Sequence, residues 1–139
     1  MVVMGTYHEE FEVETSKRRE LIDITGKVES AIKKSKVKNG ICLIFLPHAT
    51  AAIMLEEAEG GLIRDMENAI ERSFPRGAGY EHDQIDDNAD SHIASGFIGQ
   101  SRVYPIKDGR IVRGTWQRSL LVELDGPRHR KVVVTVIGE

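Results

Sequence analysis

The chain has 139 residues, 40% of them hydrophobic and 29% charged, with a formal net charge of −3. That length suits one domain, 1–139, large enough to bury a core without cross-links. The composition excludes a disordered chain, no apolar run approaches the ~20 residues of a membrane span, and the net acidity argues against a general nucleic-acid footprint.

The first residues, MVVMGTYHEEFEVET, lack a basic head followed by an apolar segment, so no secretory leader is read and a cytoplasmic protein is expected. Within them Tyr7, Glu9, Phe11 and Val13 fall on one face of an alternating pattern, which predicts a half-buried strand with His8 solvated on the other face. Val28, Ala31 and Ile32 then have helical spacing, with Thr25 as the expected N-cap and Asn39-Gly40 as the stop. ICLIFL follows as a continuous apolar run of strand length, which predicts cover on both faces. Its Cys42, the single cysteine, is expected to be a buried thiol, and alone it makes neither an internal disulfide nor a Cys-rich zinc site. Pro47 ends the run, and AAIML predicts a second short strand.

GGLIRDMENAIERSF places Leu62, Ile63, Met66, Ala69 and Ile70 on one stripe, the clearest amphipathic helix in the chain. FPRGAGYEHDQIDDN is rich in turn formers and reads as a long loop, a length that in compact domains often carries function. From Ala89 a short helix is predicted, anchored by Ile93 and Phe97 at i, i+4. In the last third, Lys107-Asp108-Gly109 signals a hairpin between SRVYPI and RIV, and Asp125-Gly126-Pro127 a turn between SLLVEL and KVVVTVIG. VVVTVI needs pairing on both sides to avoid aggregation, and RHRK at 128–131 reads as a solvated turn in which His129 has no role. The sum is α+β, with mostly antiparallel strands and two or three helices against them.

Chemistry concentrates in DDNADSH, residues 86–92, where Asp87, Asn88, Asp90 and His92 exceed what a turn or a helix cap requires. His48 at a strand end, His82 in the loop and His92 at a helix start offer three nitrogens for a divalent metal, with neighbouring carboxylates to fix their tautomers. No HExxH pair supports that reading, so surface-loop histidines stay open as the alternative. A second constellation is GTWQ, 114–117, with the only tryptophan: Trp116 is either a core anchor or an aromatic wall, and Gln117 an orienting amide. Thr50, Ser95, Arg113 and Arg118 are candidates for an anionic group, because arginine forks match phosphate oxygens.

Four blocks in order, PHATAA at 47–52, DNADSH at 87–92, GTWQ at 114–117 and ELDGPR at 123–128, resemble the YjbQ-like family, also called the secondary thiamine-phosphate synthase family. The resemblance covers nearly the whole chain. It implies a β-sandwich-like subunit, a homotrimer with sites near subunit boundaries, and the joining of hydroxymethylpyrimidine diphosphate to thiazole phosphate with release of pyrophosphate. On that resemblance His48, Glu57, Asp90 and His92 are the catalytic candidates. Thr50, Asn88, Trp116, Gln117 and Arg118 are the substrate-binding candidates. His48, His82, His92 and Asp87 would hold the metal, Mg²⁺ or Zn²⁺. Two positions depart from the family pattern: Ala49 stands where threonine is common, and Glu56 where asparagine is common. The competing reading from the residues is a histidine-based metal-binding protein or metal-dependent hydrolase, with Asp90 or Glu57 as general base.

Overall fold

The computed structural model describes residues 3–139, in which eight strands and three helices alternate with short connections. Strands β1 (Gly5–Glu14), β8 (His129–Gly138), β3 (Gly40–Phe45), β5 (Ser101–Lys107) and β6 (Arg110–Ile111) form one antiparallel sheet in that spatial order. Strands β2 (Glu20–Asp23), β7 (Arg118–Glu123) and β4 (Ala51–Glu56) form a second, also antiparallel. Helices α1 (Thr25–Ser35), α2 (Gly60–Ser73) and α3 (Ala89–Ile98) complete an α+β fold.

The smaller sheet is the middle layer. Alternate residues Ala51, Ile53 and Leu121 enter one core with Val28, Ala31 and Ile32 of α1 and with Cys42, Ile44, Val132, Val134 and Val136 of the larger sheet. The residues between them, Ala52 and Val122, turn the other way and pack with Ile70 of α2 and Ala94 of α3. Both faces of β7 are therefore covered, which is why SLLVEL carries no solvent-facing polar alternation. Burial pushes the Cys42 thiol up to about 12, so it is an inert core group.

Several expectations are met. Tyr7, Glu9, Phe11 and Val13 are the half-buried face of β1. VVVTVI is paired on both sides, by β1 and β3. The Asp108-Gly109 turn has the two positive φ angles, 52° and 77°, of a type I′ hairpin.

Others are corrected. Thr25 does not cap α1: Asp23 accepts its backbone N–H, and its own hydroxyl oxygen accepts the N–H of Ser119 in β7. The helix stops at Ser35, where Lys36 takes the left-handed conformation, four residues before Gly40. Gly40 serves the sheet instead, since a Cβ there would lie 2.0 Å from the carbonyl oxygen of Ile137. The turn at 125–127 makes no hairpin: β7 and β8 lie in different sheets, and the segment carries the chain from one to the other. On β3 only one face is covered, with Ile41 46% and Phe45 41% exposed. The stripe of α2 is thinner than its pattern, with Ile70 alone fully buried.

Candidate functional site

Helix α3 is the element that carries the DNADSH run, and its buried side is not the one its large residues suggest. Phe97 is 80% exposed, while Ala89, Asp90, Ser91, Ala94 and Ser95 are buried. The reason is close approach to the middle sheet. The Ser91 hydroxyl donates to the carbonyl of Leu124 at 2.5 Å and the Ser95 hydroxyl to that of Ala51 at 2.7 Å, and larger residues would hold the helix off. The first turn is closed by Asp83 of the preceding 3₁₀ segment (Glu81–Gln84), which accepts the N–H of Ala89 at 3.1 Å.

This placement buries Asp90 completely. Arg18 donates to both of its oxygens, at 3.0 and 3.1 Å, and Arg19 to one of them. Burial alone would raise the Asp90 carboxyl, but the hydrogen bond from Arg18 and the two guanidinium charges outweigh it and hold it below its ordinary value. Arg19 also meets Glu71 of α2 at 2.9 Å. Asn88 donates to Asp125 at 2.8 Å, and Arg128 pairs with the same carboxylate oxygen at 3.0 Å. The Oδ1 atom of Asn88 is buried without a hydrogen-bond partner.

His92, half-buried, leaves this network and faces His82, the two rings meeting edge to face with centroids 4.9 Å apart. Together with Tyr80, Glu81, Ala89 and Ile93 they line a hollow of about 410 Å³.

His48 belongs to a different set of contacts. Its Nε2 accepts the backbone N–H of Lys131 at 2.8 Å. A backbone N–H only donates, so the neutral ring carries its proton on Nδ1. Burial, with the charge of Arg130, holds the imidazole below its ordinary value. Arg130 is not in a solvated turn: it is 3% exposed and pairs with Glu123 at 2.5 Å. It also donates to the Thr50 hydroxyl and carbonyl, both at 2.9 Å. Thr15 donates to Glu123 at 2.8 Å, so this buried charge pair is hydrogen-bonded from several sides.

The GTWQ block is a tight turn locked by its own chain. Gln117 Oε1 accepts the N–H of Gly114 at 3.0 Å, and Arg113 donates to the carbonyls of Gly114, Thr115 and Gln117. Arg118 pairs with Asp23 at 2.8 Å. Trp116 is 70% exposed, so it is no core anchor. The turn leads into β7 where Arg118 lies opposite Glu56, whereas Thr50, Glu123 and the α3 contacts lie at the other end, where Ala51 faces Glu123. Five strand intervals separate the two ends, about 17 Å at ~3.3 Å per residue. Glu57, half-buried, sits on the GTWQ end beside Glu56.

Among the predicted residues, one chain thus brings together His82 and His92, with Asp90 and Asn88 in the network behind them. It leaves Glu57, Trp116, Gln117 and Arg118 apart from them. Asp87 is exposed and paired with Arg76 at 2.8 Å. Among the described residues no three His, Cys, Asp or Glu side chains gather as a metal centre. With Asp90 held by two arginines and His48 Nε2 by Lys131, the residues of a single chain do not fit a three-histidine ion. Sequence reasoning missed Arg18, Arg19, Asp125 and Arg130. The adjacent arginines of SKRRE and the charged ELDGPRHR segment were the available signals.

The model of the family described as UPF0047 protein, YjbQ-like, matches residues 9–139. A UPF0047 protein of Archaeoglobus fulgidus is 41% identical over 92% of this chain and 99% of its own length. One of Methanothermobacter thermautotrophicus is 42% identical over 99% and 96%. Among solved structures, a YbjQ-like protein of unknown function from Sulfolobus solfataricus P2 superposes with a TM-score of 0.97 at 46% identity, covering 99% of this chain and 100% of that one. A hypothetical protein from Aeropyrum pernix K1 gives 0.93 at 40%, covering 95% and 98%. Among the described residues no helix is long and apolar enough to cross a membrane.

Proposed function

The chain belongs to the UPF0047 YjbQ-like family, and from that premise we propose that it is a transferase of the thiamine-phosphate synthase type. In that reaction the thiazole nitrogen attacks the methylene carbon of hydroxymethylpyrimidine diphosphate, a C–N bond forms, the C–O bond breaks, and pyrophosphate leaves. The chemical demand is neutralisation of charge on the departing oxygens. The observation that carries the reading is the first turn of α3, where Asp90 gathers Arg18 and Arg19 on its buried side and His92, two residues on, faces His82 across a hollow. Arg18, with part of its side chain open to solvent, faces the leaving group. His92 donates a proton or a hydrogen bond to it. Asp90 acts by holding the guanidiniums, and Asn88 and Thr50 by fixing the networks around them. His48 presents Nδ1–H as a donor.

Trp116, Gln117, Arg118 and Glu57 enter the same pocket from a neighbouring copy, because the start of β7 and the end of β4 lie at the far end of the sheet in their own chain. A homotrimer supplies that neighbour. The second reading, a metal-binding protein or metal-dependent hydrolase, is favoured by the adjacent imidazoles of His82 and His92. A Zn²⁺ or Mg²⁺ held there would take its remaining ligands from the neighbouring copy or the substrate.

The test is formation of thiamine phosphate from the two substrates, with and without added Mg²⁺, for the parent and His92→Ala, alongside metal analysis. The parent is expected to form product, and the variant to lose about 10²–10⁴-fold in rate at an unchanged melting temperature. Product no faster than without protein overturns the transferase reading, and one zinc per chain in that same preparation establishes the second.

A further inference from the structure

A second concavity lies well away from α3, between α1 and the β5–β6 hairpin, with a volume of about 910 Å³. Lys33 of α1, Lys38 after it, Arg110 of β6 and Arg113 line it, against the carboxylates of Glu29 and Asp108. Four cations on one hollow stand out in a chain whose net charge is −3. Both carboxylates have a local explanation. Glu29 is matched by Arg113 at 3.8 Å across the hollow, and Asp108 occupies a positive-φ turn position that favours Asp, Asn or Gly.

Three of the four cations have no such pairing. Neighbouring lysines of α1 are engaged, Lys27 over the ring of Phe11 and Lys34 with Glu9. Lys33, Lys38 and Arg110 have no ion-pair partner among the described residues. Lys33 gains from the carboxyl end of the helix, but Lys38 and Arg110 lie outside it. The frame of the hollow is also held in place: the N–H of Gly109 donates to the carbonyl of Lys38 at 2.9 Å, joining the hairpin to the segment after α1. Half-buried Ile111 supplies apolar surface beside the charges.

We propose that this hollow binds a phosphorylated small molecule carrying two or more negative charges, at a site separate from the His82–His92 hollow. Lys33, Lys38 and Arg110 take the phosphate oxygens, and Ile111 packs on the uncharged body of the ligand.

Titration of the full chain with inorganic pyrophosphate, followed by amide NMR, locates the binding. Saturable shifts are expected at Gly26, Ser30, Lys38, Gly109 and Ile111, independent of any shifts at Tyr80–His92. The double variant Lys33→Ala/Arg110→Ala, which changes only exposed side chains, should weaken the α1 and hairpin shifts about tenfold or more. It should leave any at α3 unchanged, which separates this site from the proposed catalytic one. The proposal is overturned if those amides do not move at millimolar pyrophosphate, if chloride at matched ionic strength moves them equally, or if the double variant binds as tightly as the parent.

Discussion

His48 shows how a single hydrogen bond decides what a residue can do. Lys131 N–H occupies Nε2, so protonating the ring ends that bond, and burial beside Arg130 adds to the cost. The folded state therefore binds a proton less readily than the unfolded chain, whose histidine has the ordinary value of 6.5. Stability from this group is fully present above that pH and is lost as pH falls through the lowered folded value. His48→Asn keeps an acceptor for Lys131 but cannot titrate. Melting temperatures measured from about pH 5 to pH 7 should rise more steeply for the parent than for the variant. Identical slopes would show that His48 is not the group described. None of this was legible in PHATAA, because the partner is a backbone N–H 83 residues away. Asp90 stood out as a surplus carboxylate in DNADSH, but its partners Arg18 and Arg19 lie more than 70 residues away in sequence and could not be read from the run itself.

At the scale of elements, the long strands and the Asp108-Gly109 hairpin could be read from period-two alternation and an Asp-Gly pair, both local signals. Short β2 went unread, and the Asp125-Gly126 pair marked a crossing between sheets. Helix α3 could not be read this way. Ile93 and Phe97 have the i, i+4 spacing of a core stripe, yet the helix buries Ala89, Ser91, Ala94 and Ser95. Small residues let it sit against the carbonyls at the ends of β4 and β7, and two serine hydroxyls satisfy acceptors that would otherwise be buried unpaired. Periodicity counts large apolar residues and is blind to a side chosen for closeness. Ser91→Val should accordingly cost about 1–3 kcal/mol, by orphaning the Leu124 carbonyl from its side-chain donor and crowding the contact. Phe97→Ala should stay within ~0.5 kcal/mol. Urea denaturation of both variants, at a protein concentration low enough to separate the copies, measures the contrast. A larger loss for Phe97→Ala than for Ser91→Val would restore the large residues as the anchors.

For the whole molecule the two-sided apolar pattern of ICLIFL carries a consequence beyond one chain. Cys42 and Ile44 point into the core, while Ile41, Leu43 and Phe45 lie on the opposite face of the larger sheet. Register places Ile137 and Val133 of β8 beside Ile41 and Phe45, and Val103 of β5 beside Leu43. Of these, Ile41, Phe45, Val103 and Ile137 are each 40–50% exposed, so the apolar surface is continuous across three central strands rather than scattered. A strand with apolar residues on both sides is suited to cover on both sides, and one chain provides only one. The site proposed above, with GTWQ and DNADSH on a common wall, takes a second copy, and we propose another chain of the same kind as the occupant of this face. Sedimentation of the parent at micromolar concentration should therefore give an oligomer, with a trimer expected from the family pattern. Phe45→Glu combined with Val103→Glu should give a monomer of unchanged circular dichroism, because both residues face outward and neither enters the core. Thiamine phosphate formation should fall with the oligomer, while the His82–His92 hollow, built within one chain, stays intact. A monomeric parent, or a double variant that remains assembled, removes this face as the contact between copies.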